Sequence, residues 1–220
     1  MATDLTVAFK PEYSTGRYGG PTEHRYDLPW EAKLRGEGWS AGVRLPASIV
    51  SERGDGRRHN AGGRGDMKLA GLATAWRGAD GATLDAGLRV RLPTGDVPRG
   101  FGGATMQYAP ALELSVPLPG DLSLDVGLER RFNTGGGARR DHWYGTLDLG
   151  VAITPAVTLG ISVVARDAST RGTGPVLEVG PTVDVALGGG WAFGLLAYAG
   201  TTRDSARFGA GASVARKFSF

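Results

Sequence analysis

The chain has 220 residues, and 37 of them are glycine, more than twice the usual level of roughly 7%. It has no cysteine, so disulfides, thiolate metal sites and cysteine nucleophiles are excluded. A net charge of +3 is too mild to point to nucleic acid, and no run approaches the ~18 apolar residues of a spanning helix.

Alternation with period 2 runs from end to end. Leu84, Ala86, Leu88, Val90 and Leu92 alternate with Asp85, Gly87, Arg89 and Arg91. Leu122, Leu124, Val126 and Leu128 alternate with Ser123, Asp125, Gly127 and Glu129. Leu147, Leu149, Val151 and Ile153 repeat the pattern, as do Leu177, Val179, Val183, Val185 and Leu187. Each such segment has one apolar face and one polar or small face. No stripe of helical period exceeds two turns, so the fold class is all-β.

Twelve segments are predicted, over 4–14, 24–35, 39–51, 65–77, 82–93, 104–117, 121–133, 141–154, 156–168, 174–187, 190–201 and 205–220. In 65–77 either Met67 and Leu69 or Ala70, Leu72 and Trp76 could form the apolar face. Pro29, Pro46, Pro110 and Pro181 fall inside predicted strands, where each removes a ladder donor. Odd-numbered segments are followed by long polar links: 15–23, 52–64, 94–103, 134–140, 169–173 and 202–204. Even-numbered ones are followed by short links such as Gly36–Gly38 and Leu118–Gly120. Sorting loops by length onto two ends is the habit of outer-membrane barrels, whose strand number is even. Facing water, the twelve apolar faces would form a patch far larger than soluble proteins expose. The expectation is therefore one domain, 1–220, a transmembrane antiparallel up-and-down barrel with both termini at the short-turn end. Its periplasmic turns are short and its extracellular loops longer.

The aromatics sort in the same way. Trp39, Trp76, Trp191, Phe218 and Phe220 fall at the short-turn end, and Tyr13, Tyr26, Tyr108, Phe132, Trp143 and Phe208 near the long-loop end. These read as two membrane girdles, with Trp39, Trp76, Trp143, Trp191, Phe218 and Phe220 as principal members. The closing Arg216-Lys217-Phe218-Ser219-Phe220 resembles the terminal signal by which bacterial outer-membrane barrels engage their insertion machinery. The start MATDLTV has no basic n-region and no apolar h-region. The expectation is a processed outer-membrane chain given a new start Met.

Several stretches resemble a family of bacterial outer-membrane proteins that includes the barrels named for the meta-pathway of phenol degradation. They are YSTGRYGG at 13–20, the strand pair at 28–50, GRGDMKLA at 63–70, VRLPTGD at 90–96, the strand pair at 142–162 and FGAGASVARKFSF at 208–220. The resemblance covers nearly the whole chain. It implies a small outer-membrane barrel of uptake function, names no substrate and brings no catalytic motif.

Function is expected in the lumen. Twelve strands give a backbone radius of roughly 12 Å, about half of it filled by side chains. The inward phase carries Lys10, Lys33, Arg35, Arg44, Arg89, Arg91, Arg131, Arg166, Arg207 and Lys217. It also carries Glu12, Asp27, Glu31, Asp85, Glu113, Asp125, Glu129, Asp148, Glu178 and Asp184. A balanced set of this kind reads either as a polar pore or as cross-strand ion pairs that close the barrel. Arg89, Arg91, Arg131 and Arg166, with Glu113, Glu129 and Asp148 between them, are the expected constriction. Such a pore would pass small polar or zwitterionic solutes. A plugged structural barrel and lateral uptake of apolar or aromatic compounds are the alternatives.

Loop arginines Arg53, Arg57, Arg58, Arg139 and Arg140 suit lipopolysaccharide phosphates, because guanidinium pairs bidentately with phosphate. Solvated loop charge is the plainer reading. Of the three histidines, His24 and Asp141-His142 lie near the rim without a placed serine, so an enzyme is not expected. Arg64-Gly65-Asp66 reads as a strand start rather than an adhesion motif. No cofactor motif and no metal-ligand spacing stand out.

Overall fold

The computed structural model describes residues 3–16, 22–54, 57–135 and 139–220, with backbone alone at 53, 54 and 57–59. Twelve antiparallel barrel strands form one sheet that closes on itself, the first pairing with the last. Four of them are broken into two pieces. These are β1 (Asp4–Phe9 and Glu12–Gly16), β2 (Thr22–Asp27 and Trp30–Gly36), β3 (Trp39–Leu45 and Ala47–Gly54) and β4 (Arg57–Arg64 and Lys68–Arg77). The other eight are continuous: β5 (Thr83–Arg91), β6 (Gln107–Leu118), β7 (Leu122–Asn133), β8 (His142–Thr154), β9 (Val157–Arg166), β10 (Val176–Gly188), β11 (Trp191–Gly200) and β12 (Phe208–Ser219). The one described helical turn is Val97–Arg99, in the loop between β5 and β6.

Apolar side chains stand on the outer wall. All five tryptophans are exposed there: Trp30 at 55%, Trp39 at 44%, Trp76 at 52%, Trp143 at 47% and Trp191 at 44%. Trp39, Trp76, Trp191 and Phe218 ring the short-turn end, and Tyr108, Phe132 and Trp143 the long-loop end. Each ring holds an arginine between aromatic faces. Arg130 lies over Phe132 and Trp143, and Arg216 over Trp191 and Phe218. An apolar stem with a charged tip suits the boundary between lipid and water.

The breaks in β1–β4 lie side by side. Register sets Lys10–Pro11 against Leu28–Pro29, these against Pro46–Ala47, and Pro46 against Gly65–Met67. A proline on a strand lacks the donor its neighbour needs. Here the gaps are aligned, so one crease absorbs them. Isolated backbone bonds stitch it: Lys10 N–H to Pro29 O at 3.1 Å, Leu28 N–H to Ala47 O at 2.7 Å and Gly65 N–H to Pro46 O at 2.8 Å. Pro29 is fully buried in it. Pro110 and Pro181 stay within continuous strands, and the ladder is missing only locally beside them. At the latter, Gly180 permits contact with β11, since a Cβ there would sit 1.7 Å from the Ala197 carbonyl oxygen.

Two expectations for β3 and β4 are corrected. The link expected over 52–64 is strand on both sides, paired from Ala47↔Arg64 to Gly54↔Arg57. A polar hairpin has no apolar face to reveal it. The segment expected over 65–77 belongs to β4, which begins at Arg57 and has both apolar phases. Leu69 faces out and Leu72 is buried inward, 6% exposed. A register shift between Thr74 and Trp76 then returns Trp76 to the outer wall.

The loop from β5 to β6 folds back onto β4 and is held by one carboxylate. Asp66, 5% exposed, accepts the Gly95 N–H at 3.0 Å and the Gly103 N–H at 2.7 Å, and pairs with Arg91 at 3.2 Å. Thr94 Oγ1 accepts the Met67 N–H at 2.9 Å, and Asp96 N–H donates to Arg64 O at 2.8 Å. Phe101, 9% exposed, packs over Gly63, where a Cβ would stand 2.5 Å from its ring. The two stretches GRGDMKLA and LPTGD therefore interlock across the barrel mouth.

Two outcomes follow from this architecture. In vesicles, bromine on lipid acyl chains is expected to quench most tryptophan emission, while aqueous iodide leaves it nearly unchanged. Strong iodide quenching would contradict the outward placement. Asp66→Ala strips three donors of their acceptor and is expected to cost about 3–5 kcal/mol. The readouts are urea unfolding and faster proteolytic cleavage within 92–106. A variant as stable and as resistant as the parent would contradict the latch.

Candidate functional site

The barrel interior is charged, and the charges are sorted. A cavity of about 890 Å³ opens toward the long-loop end. Nine lysine and arginine side chains line it, against three glutamates. The cations come chiefly from β3–β9: Arg44, Lys68, Arg89, Arg91, Arg131 and Arg166, with Arg139 from the loop above. A second cavity of about 220 Å³ lies toward the short-turn end. One arginine lines it, against Glu113, Asp125, Glu129 and Asp148. The two cavities share a wall of Arg89, Glu113, Glu129, Tyr144 and Thr146.

Strand alternation produces this wall. Arg89 on β5, Glu113 on β6 and Glu129 on β7 all fall on the inward phase. Arg89 spans the other two, with one guanidinium nitrogen on Glu113 and the other on Glu129. Glu129, whose side chain is 5% exposed, also accepts from Arg131 Nε at 2.7 Å. The Arg131 guanidinium lies 3.8 Å from the centre of the Tyr144 ring. The result is a bridge of alternating sign across β5, β6 and β7. Carboxylates that accept from several guanidinium donors hold the arginines in place.

Above the bridge the register sets like charges side by side. Arg44 faces Lys68 and Lys68 faces Arg91, with Glu31, of opposite sign, on the other side of Arg44. Lys10 and Arg44 both pair with Glu31, at 2.6 and 2.9 Å. Below the bridge, Asp85 faces Glu113 and Asp125 faces Asp148.

Among the expected lining residues, Arg44, Arg89, Arg91, Glu113, Glu129, Arg131 and Arg166 line the larger cavity. Asp125 and Asp148 line the smaller one. Asp85, Glu178 and Asp184 are strand residues of the same inward phase that line neither cavity. Glu178 instead accepts the Ala206 N–H at 2.9 Å. Lys68, Arg139 and Asp66 were not expected at the lumen, Arg139 being expected on the lipopolysaccharide side. Lys68 lies in the strand of undecided phase, and Arg139 lies on a loop. Asp66 sits within a tripeptide that looked like a strand start.

Of the arginines expected at lipopolysaccharide, Arg139 crowds Gly103 and lines the larger cavity, while Arg140 is exposed. Arg53, Arg57 and Arg58 fall on β3 and β4, and their side chains lie outside the described residues, as does that of His59. His24 Nδ1 bonds the Tyr13 hydroxyl at 2.8 Å, and His142 Nδ1 bonds the Arg140 carbonyl oxygen at 2.9 Å. Both histidines thus have structural partners at the rim. Among the described residues there is no group of His, Cys, Asp and Glu that could hold a metal ion.

Comparison with solved structures finds this fold in outer-membrane barrels. The chain is similar to an outer membrane channel from Pseudomonas putida F1, with a TM-score of 0.78 at 12% identity over 99% of this chain and 95% of that one. It is similar to the KdgM porin, solved in complex with disordered oligogalacturonate, with a TM-score of 0.58 at 10% identity over 98% and 99% of the two chains. It is also similar to the CymD monoaromatic hydrocarbon channel, with a TM-score of 0.51 at 9% identity over 100% and 88%. No protein of curated function matches the chain in sequence. One family model, described as "Putative MetA-pathway of phenol degradation", matches residues 22–218, and the chain belongs to that family.

Proposed function

We propose that the chain is a bacterial outer-membrane channel that passes small polar solutes through its charged lumen. The observation that carries this reading is the series of two cavities of opposite charge with the Arg89 bridge between them. Channels among the structures of the same fold support it. A closed barrel needs no sorted charge inside. An interior built only for stability would place opposite signs side by side, since like charges directly opposite cost energy. Here the like charges gather at two levels. A simple anion is attracted by the upper level and repelled by the lower, and a simple cation meets the reverse. A zwitterion is accommodated at both when its anionic end leads toward the long-loop end. Focused fields of this kind act strongly in a narrow low-dielectric passage.

Single-channel recording in a planar bilayer tests the proposal. The expected result is a steady conductance that differs between the two polarities, because ions of each sign are depleted or accumulated at the junction according to the direction of the field. Arg89→Ala removes the bridge and is expected to raise the conductance. A silent bilayer with a folded, heat-modifiable barrel would overturn passage through the lumen. It would favour movement of apolar compounds through the wall, the route that the family's phenol-degradation description and the hydrocarbon channel suggest, or a plugged scaffold.

A further inference from the structure

We propose that Arg44, Lys68 and Arg91 form a binding site for the carboxylate or phosphate group of a solute arriving from the long-loop end. The proposal deepens the channel reading and rests on its water-filled lumen. The three residues lie directly opposite one another on β3, β4 and β5. With neighbouring strands ~4.8 Å apart, three cations occupy roughly 10 Å of wall. Such an arrangement is costly unless an anion stands before it.

The protein supplies only part of that anion. Glu31 takes Arg44 Nη1, and Asp66 takes Arg91 Nη1. Lys68 has no carboxylate within ion-pair distance among the described residues. The two flanking guanidiniums keep donors with no hydrogen-bond partner: Arg44 Nε, Arg91 Nε and Arg91 Nη2, all buried. Buried donors in this condition are rare. Nε and Nη2 of Arg91 share one edge of the guanidinium, and two parallel N–H groups on one edge match two oxygens of a carboxylate or phosphate. Lys68 adds a point charge between them. The cavity in front, about 890 Å³, admits a small organic acid.

The lower cavity gives the site a direction. An anion approaching from the short-turn end must pass Asp125, Asp148, Glu113 and Glu129 before it reaches Lys68. From the long-loop end it enters the cavity in which nine cations outnumber three glutamates. Arg91 also joins the site to the mouth loop through Asp66, so an anion on Arg91 sits one residue from the latch that holds residues 92–106.

The test is calorimetric titration of the refolded barrel in detergent, at low salt, with succinate and separately with inorganic phosphate. Saturable binding of at least one probe is expected, and which one binds tells carboxylate from phosphate. Lys68→Gln and Lys68→Met are each expected to weaken it at least about tenfold, a shift of ~1.4 kcal/mol. Removing a cation from a row of cations leaves the fold intact, and heat-modifiable gel mobility verifies this for both variants. Arg216→Gln makes the same change of net charge on the outer wall and is expected to bind like the parent. Absence of binding by both probes would overturn the site, as would parental affinity in the Lys68 variants. The titration needs no current, so a silent bilayer would defeat the channel and leave the site standing. In a conducting channel, the bound probe is expected to block at lower concentration from the long-loop side. Equal block from both sides would overturn the directional part.

Discussion

The carboxylate of Asp66 is where wall, mouth and lumen meet. It stands in the gap between the two halves of β4, at the level where β1, β2 and β3 are also interrupted. An unbroken strand would engage the backbone there in the ladder. The crease leaves room, and Asp66 turns inward to collect two loop amides and Arg91. Gly95 and Gly102 make that approach possible, since a Cβ on either would lie 2.9 Å from a carboxylate oxygen of Asp66. Once the loop is pinned, Phe101 covers Gly63 and closes the inner side of the crease. The long mouth loop, broken strands and glycines thus answer to one buried acceptor.

The same carboxylate conditions the lumen. Held by Asp66 through Nη1, Arg91 keeps Nε and Nη2 buried without a protein partner beside the cavity it lines. Arg44 is held likewise by Glu31, and Arg89 by two glutamates. In each case an acid fixes the arginine while leaving a cationic surface toward the water. This organisation differs from simple neutralisation, in which every charge would be spent on its neighbour. It concentrates positive potential above the Arg89 bridge and negative potential below it. The outer wall carries the complement, lipid exposure of leucine, isoleucine, valine and aromatics, with Arg130 and Arg216 set among aromatic rings.

Much of this was legible in the sequence, for physical reasons that also mark where legibility stops. Alternation reports which face a side chain takes, so the strands from β5 to β12 and residues such as Arg89, Glu113 and Glu129 could be placed without coordinates. Alternation fails where the strand itself is irregular. The bulge near Trp76 changes the phase within β4 and hid Lys68. The paired stretch around 52–64 has no apolar face and looked like a loop. The prolines at 29 and 46 counted against strands because their shared level depends on register between strands. Asp66 was invisible as a latch, since its partners lie 29 and 37 residues away. Charge balance was readable as a number; its separation into two levels was not.

The absence of cysteine allows the central claim, a lumen with opposite charge at its two levels, to be examined directly. Single cysteines at Ala109 in the upper cavity, Ser115 in the lower one and Leu128 on the outer wall would be labelled with small anionic and cationic thiol reagents in membranes. The expected result is faster labelling of position 109 by the anionic reagent, faster labelling of position 115 by the cationic one, and protection at 128. Equal preference at 109 and 115, or ready labelling at 128, would contradict the claim.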